Sequence, residues 1–162
     1  MAVDMFLKID GIDGDSTSHK HKGEIELLSF SWGISQTGSP TGGGGGAGKV
    51  NVQDFTVVKQ MSNSSPHLME RACTGQHIPS VSLTLASKET RQEYLKNKLT
   101  DVLISSYQTG GGGTGGAVPM DQVSFSFRGI DVQAVDRKGQ YEQVSCDFGG
   151  KDAGVIGHNH ER

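Results

Sequence analysis

The sequence predicts a mainly antiparallel β protein, a compact barrel or sandwich carrying a single short helix. Three observations carry that prediction. Apolar residues recur at period two in run after run along the chain. Only one stretch, opened by Asn63-Ser64-Ser65-Pro66, carries both the start and the stop signals of a helix. Two glycine tracts, at 42–48 and 110–116, punctuate the strands as loops.

In chain order, Val3, Met5, Leu7 and Ile9 alternate with Asp4, Phe6, Lys8 and Asp10, the pattern of a first strand. A polar loop runs from Gly11 to Gly23. Residues 24–36 alternate again, and read as one strand they turn Leu28, Phe30 and Trp32 inward and Ser29, Ser31 and Gly33 outward. After the first glycine tract, Val50 and Val52 share one parity and Phe55 and Val57 the other. A bulge at Gln53-Asp54 would keep both pairs inward. The helix is predicted to start on a hydroxyl cap beside Pro66, to bury Leu68, Met69, Ala72 and Cys73, and to end at Gly75. Further strands are marked by Val81, Leu83 and Leu85, by Val123, Phe125 and Phe127, and by Val144, Cys146 and Phe148. Between Glu93 and Tyr107 the signals conflict: Leu95, Leu99, Val102 and Leu103 have helical spacing, so periodicity alone predicts a helix in the first half. The tail after Gly149 shows no periodicity and is expected to be flexible or atypical.

Composition narrows the function. The 162 residues fit one domain, and a net charge of −3 with scattered lysines offers no cationic stripe for nucleic acid or an anionic membrane. Asp4, Lys8 and Asp10 interrupt the only apolar stretch near the start, so it lacks the core of a secretory signal, and nothing later is apolar enough to span a bilayer. Synthesis in the cytoplasm is expected. Cys73 and Cys146 have no metal-like spacing and are expected to be two buried thiols rather than a disulfide.

The chemical motifs read as structural. Gly43 to Lys49 nearly matches the phosphate-binding pattern G-x-x-x-x-G-K-[ST], but Val50 stands where the hydroxyl should be and a strand pattern follows where a helix must open. Asp10, Asp13 and Asp15 lack calcium-loop spacing and a closing Glu, which leaves a solvated acidic turn. His19 with His21, and His158 with His160, sit in polar segments without a third ligand and are expected to be exposed. Cys73 beside His67 or His77 is the best nucleophile and base on offer, yet a thiol buried on a helix's apolar face is unreactive. No catalytic residue, metal ligand or cofactor site is predicted.

Four stretches resemble the Hcp family, the tube protein of bacterial type VI secretion systems. They are residues 1–9 (MAVDMFLKI), 27–36 (LLSFSWGISQ), 42–54 (GGGGGAGKVNVQD) and 65–69 (SPHLM), in family order and spacing. The resemblance extends to about Phe148 and thins after Gly110. It implies a tight antiparallel β-barrel of two sheets, one short flanking helix and a long glycine-rich extended loop, and it implies a strand rather than a helix at 93–99. It also implies hexameric rings stacked into a tube, fired by a contractile sheath behind a spike protein, with small effector proteins held in the lumen and export without a signal peptide. On that reading Ser29, Ser31 and Gly33 are candidates for the lumen wall. Gln36, Thr41, Gly44 and Lys49 are candidates for the loop that meets the next ring. The alternative from a different class is a monomeric β-barrel binding module that does not assemble.

Overall fold

The computed structural model describes residues 2–36 and 50–149, and the backbone of 154–161. In chain order the elements are β1 (Val3–Ile9), β2 (Ile25–Glu26), β3 (Ser29–Ser31), β4 (Ile34–Gln36), β5 (Val50–Val52), β6 (Phe55–Gln60), α1 (Ser65–Thr74), β7 (Ile78–Ser87), β8 (Glu93–Gly110), β9 (Met120–Val135), β10 (Tyr141–Asp147) and β11 (Gly154–Glu161). Antiparallel pairing runs β1–β7–β8–β9–β6–β3, and β2 pairs back onto β1. Leu27 and Leu28 join β2 to β3 and close this circuit. The Leu27 amide donates to Met5 O on β1 at 3.0 Å and the Leu28 amide to Val58 O on β6 at 2.7 Å. Successive strand amides point to opposite sides, so one short segment seals both edges of the curled sheet. Ribbon β4–β5 forms a second, small sheet, while β10 and β11 extend the far half of β9 beyond the barrel.

Inside, Leu7, Ile25, Phe55, Val57, Val81, Leu83, Leu99, Val102, Val123 and Phe125 are buried on the inward parity of their strands. The predicted continuous strand 24–36 is instead three short ones. Leu27 is buried and Leu28 is 47% exposed, the reverse of the expected face, because the chain changes partner between them. Phe30 and Trp32 do pack on the core, Phe30 stacked with Phe55 and Trp32 edge-on to Phe127. At Gln53-Asp54 the predicted bulge is a break between sheets. Phe55 and Val57 are buried, but Val50 stands exposed on the ribbon.

Residues 93–99 are strand, as the resemblance implied, and the helical reading of the periodicity is overturned. Leu95 and Leu99 are four apart, which suits one face of a strand as well as a helix. Buried Asn97 between them breaks the apolar alternation that would have marked the strand. The tail is likewise corrected in part: Gly154–Glu161 pairs with β10 as an antiparallel strand, with a register shift at Ser145/Cys146.

Helix α1 packs against the barrel through a narrower stripe than predicted. Leu68 is buried and Ala72 packs on the core, whereas Met69 is 51% exposed and Cys73 is exposed, so Cys73 is not a buried thiol. Gly75 ends the helix with φ 67°, its amide donating to Arg71 O at 3.0 Å. Nothing lies within 4 Å of where a Cβ would project, so Gly75→Ala should cost about 1 kcal/mol from backbone strain alone, read from denaturant unfolding. An unchanged midpoint would mean that the C-terminus of the helix relaxes freely.

The predicted hydroxyl cap is diverted. Ser64 occupies the cap position without a side-chain capping hydrogen bond, its hydroxyl bonded to Ser62 Oγ at 2.9 Å, and Ser65 donates to Asp121 Oδ2 instead. Lys59 Nζ lies 2.8 Å from the same carboxylate and also donates to Ser65 Oγ and Gln60 O, each at 3.0 Å. Lys59 and Asp121 face each other across β6 and β9 and are 1% and 0% exposed. The network therefore ties two barrel strands to the first residue of α1. Burial alone would raise the Asp121 carboxyl, but hydrogen bonds from Lys59 and Ser65 outweigh it and hold it below the usual carboxylate range. The nearby Tyr107 phenol is pushed up by burial and by the Asp121 charge.

Candidate functional site

The outward faces of β3, β6, β9 and β8 lie side by side, and their register aligns the side chains into rows. Ser31 pairs with Thr56, Thr56 with Ser124, and Ser124 with Ser106, giving a row of four hydroxyls that crosses four strands. Thr56 Oγ1 and Ser124 Oγ are hydrogen-bonded at 2.9 Å, while Ser31 and Ser106 at the row's ends are exposed. The β8 bulge between Ile104 and Ser106 adds one more residue to this face. Its Ser105 Oγ reaches Asp54 Oδ2 at 2.6 Å and Ser124 O at 3.2 Å. The next row is Ser29, Val58, Gln122 and Gln108. The two rows contain no formal charge and no aromatic ring. Such a surface exchanges hydrogen bonds with water readily and offers no large anchor of the kind that dominates tight interfaces.

Of the sequence candidates, Ser29 and Ser31 lie on this face and are exposed. Gly33 is half-buried just beyond it. There its carbonyl accepts from the Gln53 amide at 2.9 Å, and a Cβ would come 3.0 Å from Gln53 Oε1. Gln36 is exposed at the end of the ribbon, paired with Val50. Thr41, Gly44 and Lys49 lie outside the described residues, so the near-match to a phosphate loop does too. Thr56, Ser124 and Ser106 were not singled out in the sequence. The first two were available from parity, since Phe55, Val57, Val123 and Phe125 point inward. Ser106 was hidden by the bulge.

The other polar candidates scatter. Asp10 is exposed just ahead of the Gly11–Gly23 loop, Asp13 and Asp15 are exposed on it, and His67 and Cys73 are exposed on α1. His77 pairs with Asp101 at 2.8 Å on the surface. His158 and His160 fall in β11. Among the described residues no group of three His, Cys, Asp or Glu is close enough to hold a metal ion. His21 departs from the expectation of exposure: it is 8% exposed, stacked on Phe6.

The family described as "Type VI secretion system effector, Hcp" matches residues 6–133. Protein hcp1 of Pseudomonas aeruginosa is 43% identical over 159 residues, covering 96% of this chain and 93% of that protein. Among solved structures, Hcp1 from Salmonella typhimurium superposes with a TM-score of 0.82 at 36% identity, covering 96% of this chain and all 100% of the other. A type VI secretion system effector from Yersinia pestis gives 0.76 at 30% identity, covering 89% and 99%. The chain belongs to the Hcp family.

Proposed function

We propose that this chain is the tube subunit of a type VI secretion system, a structural rather than catalytic protein. Six copies form a ring, and rings stack into a tube that is propelled by the contractile sheath behind the spike protein. The chain is made in the cytoplasm and leaves the cell through this apparatus, without a signal peptide. The observation that carries the reading, beyond family membership, is the uncharged hydroxyl row Ser31–Thr56–Ser124–Ser106. As the lumen wall, short neutral side chains leave room for cargo and hold a small effector loosely enough to release it. Ring closure by rotation joins one patch of a subunit to a different patch on the next. The segment from Gln36 to Lys49, which joins β4 to β5 in the sequence, meets the adjacent ring.

Light scattering after gel filtration tests the assembly. A uniform particle of six chains is the expected result, and its mass should hold across a wide range of protein concentration. A monomer throughout would remove the ring and leave the unassembled binding module as the better reading.

A further inference from the structure

The Gly11–Gly23 loop folds back over the outer face of β1, and its fastening is specific. The His21 ring lies flat on Phe6, centroids 4.3 Å apart and planes 9° apart. Both ring nitrogens face carboxylates: Nδ1 is 3.0 Å from Glu24 Oε2, and Nε2 is 3.0 Å from Glu93 Oε1 on β8. An ionised carboxylate only accepts hydrogen bonds, and a neutral imidazole has only one N–H. Only the doubly protonated ring can donate to both. We propose that His21 is a pH-responsive clasp, whose imidazolium form ties the Gly11–Gly23 loop to β8 and closes it over β1.

The remaining charges leave that assignment standing. Lys96 on β8 also contacts Glu93, at 3.0 Å through the other carboxylate oxygen. Asp4 of β1 and Glu26 of β2 line the same cavity of about 570 Å³ as His21, and Asp4 is partnered by Lys88 at 3.6 Å. His19 and Lys20 of the loop and Arg91 of the β7–β8 turn line it as well. These cations and the burial of the ring oppose the charged form, and the two carboxylates in direct contact oppose them in turn. Burial by itself would raise the Glu93 carboxyl, and Lys96 and His21 together outweigh that and lower it. Glu93 therefore keeps its charge into mild acid, and its part of the clasp is lost as pH falls through that lowered value. On the alkaline side, loss of one imidazole proton sets a ring lone pair against a carboxylate. The clasp is thus tightest in the window of mild acid where Glu93 is still charged and the ring carries both protons. Outside that window the loop loosens and the cavity wall opens.

Hydrogen exchange of peptides covering residues 14–23, normalised for the intrinsic rate at each pH, tests the proposal on the assembled protein. Protection of the loop relative to the barrel strands should peak in mild acid and fall roughly ten-fold or more by pH 8, the loss of one charged hydrogen bond. Glu93→Gln distinguishes this from a general pH effect. Its amide can donate to the unprotonated Nε2 of a neutral ring, so protection should persist at pH 8. His21→Gln should give lower protection with no peak. Equal pH profiles for wild type and Glu93→Gln, or a wild-type profile without a maximum, would overturn the clasp.

Discussion

Lys59→Met is expected to cost about 3–5 kcal/mol of stability, the loss typical of leaving one buried charge without its partner. The barrel offers Asp121 no route to solvent, since its side chain is 0% exposed and faces Lys59 across β6 and β9. Ser65 and Thr109 would remain as its hydrogen-bond donors, which is too little to compensate a full charge. Methionine matches the stem of lysine and fills the same volume, so the change removes charge without opening a cavity. The measurement is the denaturant midpoint at fixed protein concentration, so that the proposed assembly contributes equally to both proteins. The double variant Lys59→Met with Asp121→Leu should recover most of the loss, since replacing both partners by apolar groups is often neutral. A single-variant cost below about 1 kcal/mol would mean that water reaches Asp121 and that the pair is not dry.

The same network sets an acid limit. Because the folded Asp121 carboxyl is held below its ordinary value, its contribution is complete above the unfolded value of about 3.9 and disappears as pH falls through the folded one. In Lys59→Met the carboxyl is an unpaired buried charge, and its protonation relieves the penalty, so the stability gap between the variant and wild type should narrow as pH falls. A gap that stays constant into acid would sever the link between this ion pair and acid unfolding.

The strands that face the core on one side were legible because alternation survives wherever one face stays buried. Val81 to Leu85 and Val123 to Phe127 are of this kind. What failed were the places where tertiary pairing overrides a local pattern. Leu28 breaks phase because β2 and β3 bond to different strands, and no sequence period encodes a change of partner. Asn97 sits buried where an apolar residue would have announced a strand, which left Leu95 and Leu99 open to a helical reading. Ser65 looked like a helix cap until a lysine and an aspartate distant in sequence claimed its hydroxyl. Nothing local in the sequence marks His21 as buried, for a related reason. Its burial depends on Phe6 and Glu93, which lie far from it along the chain. The hydroxyl face was half legible: parity puts Ser31, Thr56 and Ser124 outward, but that they share one row is a fact of register.

On the proposed reading of a ring with cargo in its lumen, Ser31→Gln should sharply reduce retention of a small effector while leaving the ring intact. Ser31 is exposed at one end of the hydroxyl row and Ser106 at the other, so a long amide at either position intrudes on the face without disturbing the core beneath. Stability should change by no more than about 0.5 kcal/mol, as for other surface substitutions. Co-purification of the effector should fall roughly ten-fold or more, because cargo held by many weak contacts in a confined space has no dominant anchor to survive the loss of room. Ser106→Gln should do the same, since it sits in the same row on a different strand. Thr17→Gln, also exposed but on the loop over β1, should retain cargo as wild type does. The readout is effector recovered per ring, with ring mass measured on the same sample. Full retention in both row variants with rings intact would remove this face from the lumen while leaving the assembly standing. Loss of rings would instead place the face at a contact between subunits.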